Sequence, residues 1–355
     1  MNKKILFSIP LIACLLTSCK GNTYYEEEKY EVGVQWVDPS KDFKILQLCD
    51  IHLNQSDDYE RHFKMINKTI TDANPDLIVI NGDTFTYADK ALVKKVFAFI
   101  DWHRIPWTFT FGNHDDQGYY SDTYIQELLG TKNSYQYVKF VNLPDDDVTG
   151  RSNFVINIYE RVGGGLDSYH NVDKFQVYCL ESHNYNFDTM KYDYIKNDQI
   201  DWYERMVQHY ATKNGAVMPS AMYFHIPLPE FFEAWHELNG EVENKHNSHR
   251  PENFDANAST DEFGGGPAPE SDTHLFDKVK ELGSTIAISV AHDHINDSVI
   301  IYDDVALCFG VHATDRIYYD AKKLGGQVIT IDHTNPWNLS FKNIKNSYED
   351  LKEVK

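Results

Sequence analysis

Apolar residues along this chain recur at two periods, and the alternation between those periods lays out a layered architecture. Val32, Val34 and Trp36 alternate with other residues, and residues 43–49 form a mostly apolar run, which predicts two opening strands. Residues 59–73 place Phe63, Ile66 and Ile70 at helical spacing and stop before Asn74-Pro75, because the residue preceding a proline resists the helical conformation. The β-branched run 76–80 reads as a strand covered on both faces, 91–103 as a second helix, and 106–111 as a third strand. Strand, helix, strand, helix, strand is an α/β signature. Farther along, 175–180, 222–224 and 285–290 read as strands, and Ile200, Tyr203, Val207 and Tyr210 mark one helix face. The glycine triplet 163–165 and the Gly-, Pro-, Asn- and acid-rich stretch 251–270 predict loops that can frame a pocket mouth. The pattern gives one domain over 32–335 and a C-terminal tail over 336–355.

The first nineteen residues stand apart from this pattern. Lys3 and Lys4 precede an apolar run, 5–16, that ends in Leu16-Thr17-Ser18-Cys19. A basic start, a short apolar core and small residues before a cysteine resemble a bacterial lipoprotein signal, and the run is shorter than the roughly 20 residues that span a bilayer. Cys19 then becomes the lipidated first residue, residues 20–31 a polar tether without a fixed fold, and the protein an exported one anchored to a membrane by lipid, at the cell surface or on the periplasmic side. An ordinary secretory signal with a chance cysteine is the alternative.

Composition narrows the function classes. The 355 residues are 42% hydrophobic and 14% aromatic, enough for a large core, and a formal net charge of −21 disfavours nucleic acid as a partner. Cys49, Cys179 and Cys308 stand at wide spacings and read as small buried residues on strands; alternation would turn the Cys49 sulfur away from the Asp50 side chain.

Candidate chemistry is carried by short words, each following a predicted strand: Asp50-Ile51-His52, Gly82-Asp83, Gly112-Asn113-His114-Asp115 and Ala291-His292-Asp293-His294, with a lone His225 before the last. In α/β folds ligands collect where strands end. Residues i and i+2 at a strand end project to one side, so Asp50 with His52, and His292 with His294, can each grip a cation. Asp83 offers two oxygens and can bridge two ions, and the preceding glycine lets the backbone turn sharply. Asn113 adds a neutral amide oxygen. The mixed nitrogen and oxygen set suits Mn, Fe or Zn rather than calcium or magnesium alone. Two such cations about 3.5–4 Å apart sharpen a water into a nucleophile and neutralise a phosphoryl group, while the unassigned His114 can serve as general acid to the departing oxygen. The other histidines, His183 and His312 among them, read as ordinary.

In order and spacing these words resemble the calcineurin-like metallophosphoesterase superfamily over residues 43–331. The stretches 224–230 and 292–297 are similar to its small purple-acid-phosphatase-like branch, as, less specifically, is 199–202. The resemblance implies a four-layer sandwich of two mixed β-sheets flanked by helices. It also implies one metal held by Asp50, His52, Asp83 and His294 and another by Asp83, Asn113, His225 and His292. The function implied is hydrolysis of a small-molecule phosphate ester, monoesters before diesters; the alternatives are a phosphodiesterase of nucleotide or phospholipid-headgroup type and a non-catalytic surface lipoprotein that binds without turnover. Thr86 stands where purple phosphatases carry a tyrosine ligand and protein phosphatases an aspartate that orients the catalytic histidine, so what aligns His114 is left open. Ala291 replaces the usual glycine of the last word. No arginine clamp has a recognisable spacing.

Overall fold

The computed structural model describes residues 27–121, 123–143, 147–164, 169–186, 188, 191–239, 274–349 and 351. The leader with Cys19, most of the tether, and the loop 251–270 lie outside the described residues. In chain order the elements are β1 (Glu31–Gln35), β2 (Phe43–Leu48), α1 (Tyr59–Ala73), β3 (Leu77–Asn81), α2 (Lys90–Trp102), β4 (Trp107–Thr110), α3 (Tyr124–Gly130), β5 (Phe154–Val162), β6 (His170–Cys179), β7 (Tyr185–Asn186), β8 (Lys191–Tyr192), α4 (Asn197–Asn214), β9 (Ser220–Tyr223), α5 (Glu230–Asn239), α6 (Leu275–Leu282), β10 (Thr285–Val290), β11 (Val299–Tyr302), β12 (Val305–Phe309), β13 (Gly325–Ile331) and β14 (Leu339–Lys345).

These strands build a seven-stranded sheet, β1-β5-β6-β9-β10-β12-β11, and a five-stranded sheet, β14-β13-β2-β3-β4. Both are mixed: β6-β9-β10-β12 and β2-β3-β4 run parallel, whereas β5-β6, β11-β12 and β13 with both its neighbours run antiparallel. Period-two alternation then sorts side chains into layers. Ile45, Leu77 and Val79 from one sheet meet Val177, Cys179 and Ala287 from the other in a core between the sheets. Their strand neighbours Leu46, Ile78 and Ile80 face outward against Ile66 of α1 and Val96 of α2, while Tyr178 and Ile288 pack on Trp202 and Met206 of α4. Helix, sheet, sheet, helix is the four-layer sandwich that the resemblance implied.

Local chemistry sets the ends of these elements. The Asp58 side chain accepts the N–H of Arg61 at the start of α1, and Asn74, in the left-handed region at φ 45°, returns its N–H to Ile70 at the end, where the proline rule placed the stop. Two expected boundaries are corrected. Glu27–Tyr30 form a 3-10 turn that runs into β1, with Tyr30 buried, so the folded body starts inside the expected tether. Within the expected tail, β14 pairs with β13 along its whole length, because Leu339 and Ile344 have apolar surface to bury. The loop at 163–164 also does not frame a pocket. It follows β5 at the end opposite Phe154, and Phe154 pairs with Cys179, beside the strand ends where the chemical words gather. No helix among the described residues is long and apolar enough to cross a membrane.

Candidate metal centre

The chemical words follow the C-terminal ends of β2, β3, β4, β9 and β10, parallel strands contributed by both sheets. Buried polar side chains clamp the sheets together at this edge. Asn81 donates to the carbonyls of Phe224 (3.0 Å) and Ser289 (3.1 Å) while accepting from Thr110, and Gln47 donates to the carbonyl of Val290 (2.8 Å). A buried amide persists only where it is satisfied, so these residues fix the spacing of the two strand ends. Nothing in the sequence pattern flagged them, since each sits inside an apolar strand.

The loops beyond the strands are not extended. Asp50, His52 and Asp83 each adopt φ 51° and His292 φ 77°. Left-handed backbone at non-glycine positions costs free energy and clusters where a site over-determines the conformation. The i, i+2 rationale for pairing Asp50 with His52 is therefore corrected: the two converge because the backbone coils, not because a strand alternates. The Cys49 thiol donates to the carbonyl of Val311 at 3.5 Å. Cys49, Cys179 and Cys308 are buried and free, as their spacing suggested.

Donor atoms of Asp50, His52, Asp83 and His294 lie within 4.8 Å of one another, and so do those of Asp83, His225 and His292, with Asp83 common to both groups. Nε2 of His225 is 3.1 Å and Nε2 of His52 3.6 Å from Oδ2 of Asp83; Nε2 of His294 is 3.5 Å from Oδ1 of Asp50. Asn113 completes the set of residues singled out from the sequence: it is fully buried, and neither atom of its amide has a hydrogen-bond partner. Its neighbours hold it beside Asp83, since the N–H of His114 donates to Oδ1 of Asp83 at 2.8 Å.

The outer nitrogens of three histidines are tied away from this cluster. Nδ1 of His225 donates to the carbonyl of Asn81 (3.0 Å) and Nδ1 of His294 to that of Tyr318 (2.9 Å), while Nδ1 of His52 meets the hydroxyl of Thr86 (2.8 Å). A carbonyl can only accept, so in His225 and His294 Nε2 is the inward lone pair of the neutral tautomer, the arrangement of ligating histidines. Burial pulls His52 and His294 well below the ordinary histidine range and His292 down to about 3, which keeps these imidazoles neutral. Burial also pushes the Asp50 carboxyl up to about 7. It opposes charge on His225 too, yet Asp83 pushes that imidazole up to about 9; Asp83 itself, against its burial, is held well below the carboxylate range by His225 and His52. A cluster that holds a proton on His225 and resists ionising Asp50 is short of positive charge. Neutral imidazoles, a shared carboxylate and an orphaned buried amide fit cations of the Mn, Fe or Zn kind.

His114 lies outside the donor set, half-buried, with its ring 5.0 Å from that of His52. Its Nδ1 bonds to Oε1 of Gln117 at 2.8 Å. Gln117 is therefore the residue that aligns it, a role the sequence did not reveal, while Thr86 serves His52. Asp115, part of the same word, has its own task. Its carboxylate accepts the backbone N–H groups of Asp83, Thr84, Phe85 and Gly112 at 2.8–3.1 Å and ties two of the turns together. Of the histidines read as ordinary, His183 is satisfied by Gln199 at 2.8 Å. His312 is fully buried and packs edge-on against His294 with ring centroids 4.4 Å apart, a wall of the site rather than a bystander.

The family match points the same way. The model of the calcineurin-like phosphoesterase family matches residues 43–295. The chain is 27% identical over 365 residues to "Probable inactive purple acid phosphatase 29" of Arabidopsis thaliana, covering 92% of this chain and 85% of that one. It is 27% identical over 296 residues to "Phosphatase DCR2" of Saccharomyces cerevisiae, covering 76% and 47% respectively. Among solved structures it is similar to a dimetal phosphatase from Danio rerio, at a TM-score of 0.49 and 9% identity, covering 85% of this chain and 99% of that one.

Proposed function

The chain belongs to the calcineurin-like phosphoesterase family, and on that premise we propose that it hydrolyses phosphate monoesters at a dinuclear metal centre. Asp50, His52, Asp83 and His294 would hold one cation, and Asp83, Asn113, His225 and His292 the other. Bound there, the cations supply charge to the phosphoryl oxygens and acidify a coordinated water. The chain's own residues do the rest. The carboxylates and imidazoles orient the centre, the turns fastened by Asp115 keep its geometry, and His114 donates a proton to the departing oxygen. The observation that carries the reading is the convergence of buried donors on Asp83 beside a histidine that is not one of them.

The proton bookkeeping follows from the contacts. Gln117 Oε1 accepts from Nδ1 of His114, so Nε2 is the nitrogen available to a substrate. Acting as the imidazolium, His114 would deliver the Nε2 proton to the ester oxygen, so that the alcohol leaves neutral, and the proton shed by the attacking water would restore it. The His114 imidazole is within the site and its hydrogen bond among the described residues is to an amide rather than a carboxylate, which suits a group that must both give and regain a proton.

Purified protein supplied with manganese or iron is expected to hydrolyse a nitrophenyl phosphate in preference to the bis-nitrophenyl diester. His114→Ala is expected to lose about 100-fold or more of that turnover with its metal content kept. Preference for the diester would move the reading to the phosphodiesterase class. Full metal occupancy with no turnover on any ester would make the protein a binding module on the same fold. We also propose that the body is held outside the cytoplasm through lipid on Cys19. Loss of membrane association in Cys19→Ser tests that point.

A further inference from the structure

The last chemical word is walled by tyrosines on two separate segments. On the β7-β8 hairpin, the Tyr192 ring stands perpendicular to that of His292, with centroids 4.5 Å apart at 89°, and Tyr185 stacks on Tyr192 at 4.7 Å with their hydroxyls 3.1 Å apart. From the loop after β12, Tyr318 lies flat on His294 at 4.2 Å and 13°, and its hydroxyl reaches the carbonyl of His292 at 3.4 Å. Tyr185 and Tyr192 form an aromatic strip that starts at His292 and emerges at the surface, where Tyr185 is 37% exposed, while Tyr318 separately covers His294. Ile317, next to Tyr318, is 51% exposed and held at φ 60°, a strained conformation for a β-branched residue.

Three cations among the described residues of this region are already engaged. Arg151 is bonded to Asp116 and Glu181, Arg316 to Asp57 at 3.0 Å and Lys196 to Asp193. A leaving group carrying further phosphates would thus meet carboxylate-neutralised side chains and tyrosine rings in this direction. A flat, uncharged ring would meet π faces at stacking distance.

We infer that the strip formed by Tyr185 and Tyr192 beside His292 receives the ring of the leaving group, so that the substrate class is a monophosphate ester of a ring-bearing, uncharged alcohol. This rests on the proposed phosphomonoesterase reading: the metal centre takes the phosphoryl group and the strip takes what leaves.

Non-hydrolysable phosphonates separate the two claims, because they report binding without turnover. Calorimetric titration of the manganese-loaded protein with phenylphosphonate and with methylphosphonate is expected to show the phenyl compound bound about tenfold more tightly. In Tyr185→Ala that ratio is expected to shrink to about threefold, and in the double variant Tyr185→Ala/Tyr192→Ala to about one. Tyr192→Phe keeps a ring against His292 and is expected to keep the ratio, and metal analysis of each variant shows that its centre is loaded. Equal affinity for the two phosphonates in the unmodified protein, with both bound, overturns the inference while leaving the phosphomonoesterase reading in place. A preference that persists in the loaded double variant overturns it as well. Failure of both phosphonates to bind the loaded protein overturns the reading and the inference together.

Discussion

The carboxylate of Asp115 accepts the backbone N–H of Asp83 at 2.9 Å, so the turn that bears the carboxylate common to both donor groups is fastened by the turn that bears His114. The same carboxylate satisfies the N–H groups of Thr84, Phe85 and Gly112, and Asp115 is 1% exposed. Removing it strands buried donors that water cannot reach. Asp115→Ala is expected to cost about 3 kcal/mol or more, measured by urea unfolding of metal-free protein so that lost ion binding does not enter. A loss below about 1 kcal/mol would show that these bonds are not what fastens the turns.

Gly82 is in the left-handed region at φ +79°, and a Cβ there would lie 2.4 Å from Nδ1 of His225. Alanine would therefore push that ring off its carbonyl partner and away from Asp83. Gly82→Ala is expected to drop the metal content from about two ions per chain to about one. Gly215→Ala is the control: it shares the strained backbone, φ +73°, but has open space around it. Elemental analysis should find that variant fully loaded, although less stable.

Gln117 aligns His114 through a neutral amide, and the demand for a proton grows as the leaving oxygen becomes more basic. Gln117→Ala is expected to lower kcat on an alkyl phosphate by about tenfold or more, and on nitrophenyl phosphate much less. Gln117→Glu, which retains an acceptor, should recover part of the alkyl activity. Equal losses on both substrates would make Gln117 a packing residue only.

Arg151 joins Glu181 to Asp116, the residue two beyond His114, while its guanidinium lies over the Phe111 ring at 4.1 Å. Burial alone would raise the Glu181 carboxyl, but the charge and hydrogen bonds of Arg151 hold it below the ordinary value of 4.5. Because the folded value is depressed, the stabilisation is complete above the unfolded value and is lost as pH falls through the folded one. Metal-free protein should lose urea stability as pH falls from about 5 to about 3, and Glu181→Gln should be less stable at neutral pH with a flatter profile over that window. Parallel profiles for the two proteins would contradict the assignment.

Much of this arrangement was legible in the residues. Strands such as β3, apolar on both faces, and α1, capped by Asp58 and Asn74, carry their own periodicity and stop signals. The strand-end words named the donors that the fold brings together because a metal site needs particular side chains, and those survive in one dimension. What aligns them did not show. Gln47 and Asn81 hide inside apolar strands, Gln117 looks like any polar turn residue, and Tyr192 reaches His292 only through folding. The strand β14 was missed because its pattern is half polar, as befits an edge strand with one covered face. The coil at Asp50 and His52 was invisible because nothing in an aspartate or a histidine announces a positive φ.

Metal content tests the central claim most directly. Protein stripped with chelator, reloaded with manganese, iron or zinc and desalted should retain about two ions per chain, and Asp83→Ala, which removes the donor common to both groups, should retain almost none. Unmodified protein that retains no ion after reloading with any of the three, or Asp83→Ala that retains as much as the unmodified protein, would contradict a dinuclear centre at these residues.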